Sequence, residues 1–170
     1  MFKLIISVCF LFTILVSISK AQMAPPAPVE NKVYDTMVGE WTADAVMMGM
    51  PFIDNLKIVW DLNHQFIVLD LMATGKANTS MTYQGKGIYG VDDKGNSKDW
   101  WFDTWGASMV STGTGFFDGD VLTITEGNDM YKASRTFTVD GNQMTMHAKG
   151  TMVTSGKDEA FDETTIFMKK

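Results

Sequence analysis

The sequence predicts an all-β fold, an antiparallel meander of about 8–10 strands closed into a β-barrel. Three observations carry this. From Trp41 to the C-terminus, apolar and polar residues alternate with a period of two, the signature of half-buried strands. The runs are separated by tight-turn chemistry at Asp92-Asp93-Lys94-Gly95-Asn96, Asp118-Gly119-Asp120 and Asp140-Gly141-Asn142. No segment in this region carries a long helical stripe. A meander of this size removes its exposed edges by closing on itself.

The elements follow in order. Met1-Phe2-Lys3 gives a positive start, Leu4–Ile18 an apolar core, and Ser19-Lys20-Ala21 the small residues that a signal peptidase reads. Residues 1–21 are therefore expected to be a secretory signal peptide, cleaved after Ala21, with a secreted or periplasmic product. The apolar run is short for a membrane span, so no stable span is expected after cleavage. Residues 22–32, QMAPPAPVENK, form a Pro-rich tether, because Pro25, Pro26 and Pro28 favour extended geometry over helix. The barrel domain occupies 33–170. It is expected to open with one short helical turn over 33–38. Strands are predicted at about 41–48, 55–61, 65–74, 79–90, 98–105, 110–117, 121–126, 131–139, 143–153 and 160–168.

Charge and cysteine content narrow the function classes. The chain has a formal charge of −6, with 14 basic and 20 acidic residues. Loss of Lys3 and Lys20 with the signal would take it to −8. Nucleic acid and anionic membranes are poor partners for such a chain, since both require clustered positive charge. The single cysteine, Cys9, lies in the signal. The mature chain is thus expected to contain no disulfide, thiolate metal site or cysteine nucleophile.

Several short motifs fall in order along the barrel. They are Gly39-x-Trp41, Trp60-x-Leu62, Phe66, Gly87-x-x-Gly90-x-Asp92, Trp105 followed by Ser108-Met109, and Gly115-x-Phe117-Asp118-Gly119-Asp120. With these motifs the chain from about Met37 to Lys170 resembles a bacterial lipocalin-like family known only as domain of unknown function 1579. The resemblance implies a calycin-type barrel and no agreed activity. The chain departs from the pattern at Gln65, where the family usually has arginine. Lipocalins stack an arginine of the last strand on the first tryptophan, and this chain offers only Lys169 and Lys170 there. Related haem-binding barrels have glycines at the positions of Ala43 and Ala45 and a histidine near the C-terminus. None follows His147 here, so no haem is expected.

Catalytic and metal signatures are weak, and no cofactor, metal site or catalytic residue is expected. His64 lies in a turn and is expected to be exposed. His147 shares the polar face of its strand with Thr145 and Lys149, away from Met144, Met146 and Ala148. The 14 methionines, including Met47, Met48 and Met50, read as core or pocket filler rather than a copper site. The Asp92–Asn96 segment lacks the alternating ligands of a calcium loop. No Gly-x-Ser-x-Gly elbow occurs.

Strand parity yields ligand-binding candidates. Arg135, the only arginine, shares the apolar face of its strand with Ala133, Phe137 and Val139. Leu56, Ile58 and Trp60 fall together on another strand, and Tyr83 and Tyr89 on a third, with Met81 and two glycines. The candidates are Arg135, Trp60, Tyr83, Tyr89 and Met146, with one of Trp100 and Trp101 also facing inward. Fatty-acid-binding barrels hold a carboxylate with interior arginine and tyrosine, so the resemblance implies a small apolar, acidic ligand. The alternative for Arg135 is a permanent ion pair with an inward acid such as Glu163 or Asp103, or an outward position at a bulge. The leading function is a carrier of a small hydrophobic ligand. The competing readings are an interaction domain whose barrel is packed solid and an enzyme working at the barrel mouth. Oligomeric state is not legible.

Overall fold

The computed structural model describes residues 25–47 and 49–170. The expected signal peptide, the start of the tether and Met48 lie outside these residues. Ten antiparallel strands follow one another around a closed barrel: β1 (Gly39–Met47), β2 (Met50–Asp61), β3 (Phe66–Gly75), β4 (Thr82–Val91), β5 (Ser97–Asp103), β6 (Ser111–Asp118), β7 (Val121–Gly127), β8 (Tyr131–Asp140), β9 (Gln143–Thr154) and β10 (Lys157–Lys169). Each strand pairs with its sequence neighbours, and β1 meets β10 to close the ring.

The turn residues set the register. Asp118 pairs with Val121, leaving Gly119-Asp120 as a two-residue loop, and Asp140 pairs with Gln143 around Gly141-Asn142. Gly119 and Gly141 take φ of 58° and 57°, the left-handed geometry that short hairpins require. Three expected strand starts shift by three residues or more. The β2 strand begins at Met50 rather than near 55, β4 at Thr82 rather than 79, and β10 at Lys157 rather than 160.

A six-residue helix, α1 (Lys32–Met37), closes one end of the barrel. Asn31 caps it by accepting a hydrogen bond from the Tyr34 backbone N–H at 2.9 Å. Val33, Tyr34 and Met37 are buried against Trp41, Ile58, Ile67, Tyr89, Leu122, Ile124 and Met144. Tyr34 Oη lies 2.8 Å from Ser97 Oγ, and its ring meets Trp60 and Phe117 edge-on. Trp41 is fully buried and donates its indole N–H to the Met37 carbonyl at 2.8 Å. The Lys169 ammonium stands 5.1 Å from the centre of the Trp41 ring. Lys169 thus makes a cation–π contact with Trp41.

The end of the tether docks on the β2–β3 turn. Leu62, Asn63 and His64 all have positive φ, 48°, 57° and 62°, a conformation costly for residues with a side chain. The Val29 backbone N–H donates to the His64 carbonyl at 2.9 Å, and His64 Nδ1 lies 2.8 Å from the Val29 carbonyl. His64 is half-buried and stacked on Trp60 with ring centres 3.9 Å apart, which corrects its expected exposure.

The closure is asymmetric. Strands β1 and β10 pair only at Trp41–Lys169 and Thr42–Met168, supported by the Lys170 backbone N–H donating to the Glu40 carbonyl. Beyond Thr42, toward the β1–β2 and β9–β10 hairpins, no residue of β1 is paired with β10. The end beneath α1 is packed, and the end away from it is hollow.

Candidate functional site

The hollow end is a cavity of about 500 Å³. Leu56, Leu69, Tyr89, Phe137 and Phe167 bring its wall to the packed end. Val46, Trp105, Met109 and Phe161 line it near the loops. It reaches the gap between β1 and β10, where Ala45, Val46, Glu159 and Glu163 line it.

Four of the five sequence candidates, Arg135, Tyr83, Tyr89 and Met146, share this wall. Trp60 does not. It sits at the end closed by α1, packs against Tyr34 and His64, and donates its indole N–H to Asp35 Oδ1 at 2.9 Å. Its inward parity is correct, but parity says nothing about height along the barrel axis. Of the adjacent pair, Trp101 lines the cavity, while Trp100 is exposed and packs edge-on to Phe66. Met81, grouped with the tyrosines by parity, lies before β4 begins and is exposed. His147 lies on the outer surface, 2.7 Å from Asp162.

Arg135 faces inward and is held by its neighbours. Nη1 lies 3.0 Å from Glu126 Oε1, and Nη2 donates to the Tyr131 hydroxyl at 2.8 Å. The rings of Tyr131 and Trp101 lie 5.7 and 5.9 Å from the guanidinium carbon. The acidic partner is therefore Glu126, not Glu163 or Asp103. Glu126 stands diagonally across the β7–β8 pair, where Arg135 is directly opposite Ile124. Asp103 instead accepts a hydrogen bond from Tyr83 at 3.1 Å, and Tyr83 accepts one from the Trp101 indole at 3.0 Å. Burial works against the Arg135 charge, but Glu126, Tyr131 and Tyr89 outweigh it, and its pKa is raised.

Behind Arg135 the wall holds a second acid. Asp99 on β5 and Glu126 on β7 both stand opposite Gly113 of the intervening strand β6. A side chain at Gly113 would collide with both Asp99 carboxyl oxygens and with Glu126 Cβ. The glycine lets the two carboxyls meet across an empty position. Burial, and then the neighbouring Glu126 charge, push Asp99 up to about 7. Its protonated form can hydrogen bond to Glu126. Gly85 has a similar role on β4, because a Cβ there would run into the Trp101 indole.

Asp54 is a further inward acid. It lies on β2 between Ala43 of β1 and Ala73 of β3. It is buried, lines the cavity, and its Oδ1 has no hydrogen-bond partner among the described residues. Burial pushes its carboxyl up to about 6. Sequence reading misses it because the expected second strand begins near 55, one residue past Asp54, whereas the strand starts at Met50. Asp54 has the same parity as Leu56, which was assigned inward.

Among the described residues, no group of three or more histidine, cysteine or acidic side chains is placed to hold a metal ion. No described helix is long and apolar enough to cross a membrane. Comparison with protein-family models and with characterised proteins gives no match.

Proposed function

We propose that this chain is an exported, lipocalin-like carrier of a small, largely apolar ligand held in the open half of the barrel. The observation that carries this reading is the division of one barrel into a packed end and a cavity of about 500 Å³. That volume and its mix of aliphatic walls with a few polar groups are typical of small-molecule sites. A barrel serving only as an interaction scaffold has no need of an interior hollow, since empty space forfeits packing. The order of motifs from Gly39 to Asp120 supports kinship with the lipocalin-like family of domain 1579. The leader pattern supports export.

Of the finer expectations, a carboxylate ligand anchored by Arg135 loses support. Two of the guanidinium's nitrogens are engaged by Glu126 and Tyr131, and Nε is buried. The test is a titration with a neutral, apolar fluorophore, N-phenyl-1-naphthylamine, together with native mass spectrometry of protein purified from its host. The expected result is saturable binding of one probe per chain with quenching of Trp101, weakened by Trp101→Phe. Absence of saturable binding would favour the interaction-domain reading.

A further inference from the structure

The cavity wall carries charge of nearly one sign. Asp54, Asp103, Glu159 and Glu163 line it, and Arg135 is the one basic side chain among its lining residues. That guanidinium is already matched by Glu126. Asp54 differs from the other acids. It is only 7% exposed, and its Oδ1 has no partner among the described residues. Its neighbours across the sheet, Ala43 and Ala73, have no polar side-chain atoms. Burial alone accounts for its raised pKa of about 6, with no contribution from a cation, so at neutral pH it is mostly ionised. A buried carboxylate without a counter-charge is costly. It is also what an incoming cation needs. The same cavity presents Tyr83, Trp101 and Trp105, whose ring faces attract positive charge.

We propose that the cavity receives an amphiphile with a protonated amine on an apolar body, and that the Asp54 carboxylate meets the amine. This rests on the carrier reading. A fatty acid would bring a further negative charge into a wall with four carboxyl groups and a cation already paired. An alcohol could donate one hydrogen bond to Asp54 but would leave its charge unmatched.

The experiment is displacement of N-phenyl-1-naphthylamine by decylamine, decanol and decanoate, at neutral pH and physiological salt. In the wild-type protein decylamine should bind at least about tenfold tighter than decanol, the factor expected for a charge-assisted hydrogen bond, and decanoate should bind weakest. Asp54→Asn should bring decylamine to the level of decanol. Retained decanol binding shows that this variant is folded with its cavity intact. Asp93→Asn, which removes an exposed carboxylate in a turn, should leave the preference unchanged. Equal binding of decylamine and decanol to the wild type overturns the proposal. So does tightest binding of decanoate, a preference that survives Asp54→Asn, or a preference lost equally in Asp93→Asn. If Asp54→Asn loses decanol as well, the wild-type ratio decides alone. If neither the probe nor any amphiphile binds, the carrier reading itself fails.

Discussion

Arg135→Met separates a structural counter-ion from a spare ligand anchor. Methionine keeps much of the bulk and removes the charge. The change strands Glu126, whose side chain is 1% exposed, next to Asp99, already pushed up to about 7. A buried carboxylate left without its cation carries an uncompensated desolvation cost of several kcal/mol. Loss of the hydrogen bonds to Glu126 and Tyr131 adds about 1 kcal/mol each. Removing the guanidinium returns part of this, because its own burial cost disappears. The expected net loss at pH 7 is about 3 kcal/mol, within the range for breaking one side of a buried pair. The sign of the pH dependence follows. The guanidinium lowers the Asp99 pKa, so without it the folded Asp99 carboxyl rises further and holds a proton that the unfolded chain has released at pH 7. Stability relative to wild type therefore recovers as pH falls, leaving a smaller deficit near pH 4.5 than at pH 7. Combining Arg135→Met with Glu126→Gln should restore most of the loss, giving a coupling of at least about 2 kcal/mol in a double-mutant cycle. Urea melts followed by far-ultraviolet circular dichroism at the two pH values measure all of this. A loss below about 0.5 kcal/mol at pH 7, or an equal loss at both pH values, refutes the structural ion pair.

Other substitutions probe the rest of the wall. Asp54 has its pKa raised from 3.8 to about 6, so its ionisation in the folded state costs about 3 kcal/mol above pH 6 and nothing below about pH 4. Asp54→Asn should therefore stabilise the ligand-free protein by about 2 kcal/mol at pH 7, with the gain vanishing near pH 4; a gain independent of pH contradicts the buried-charge account. Gly113→Ala should cost about 2 kcal/mol in a urea melt, because the new methyl occupies the space where Asp99 and Glu126 meet. Tyr34→Phe removes the hydroxyl bonded to Ser97 and should lower stability by about 1 kcal/mol without altering probe binding, since Tyr34 seals the far end of the barrel.

The barrel was legible because its information is local. Alternation assigns faces, and Asp118-Gly119 and Asp140-Gly141 fix hairpin registers. The shifted strand starts have local causes too. Pro51 looks like a break, yet it lies opposite Val46 and its carbonyl accepts from Lys76 at 2.9 Å, so the missing N–H does no harm at the strand end. Lys157, Asp158 and Glu159 carry no apolar alternation, and their strand is fixed by the Ser155-Gly156 turn, where both residues have positive φ. The site was legible only by face. Parity put Arg135, Tyr83 and Tyr89 inside, but it could not choose Glu126 over Glu163 or Asp103. Nor could it separate the height of Trp60 from that of Trp101. Both depend on register accumulated around the ring, as does the boundary between packed and hollow halves.

The two-pair seam between β1 and β10 has a consequence for how this molecule meets its own kind. Backbone groups on the facing sides of 43–47 and of β10 below Met168 have no strand partner in the ring. Such an edge is a template for a strand from another chain, the usual first step of β-aggregation. Here β10 carries Lys157, Asp158, Glu159, Asp162 and Glu163 along that stretch, all exposed. An incoming copy would set these acids against an identical row, and repulsion would oppose pairing. The acids at the side of the cavity thus also act as gatekeepers of an unfinished sheet. Replacing them with threonine or valine should promote edge-to-edge association, read as a rise in sedimentation coefficient with protein concentration.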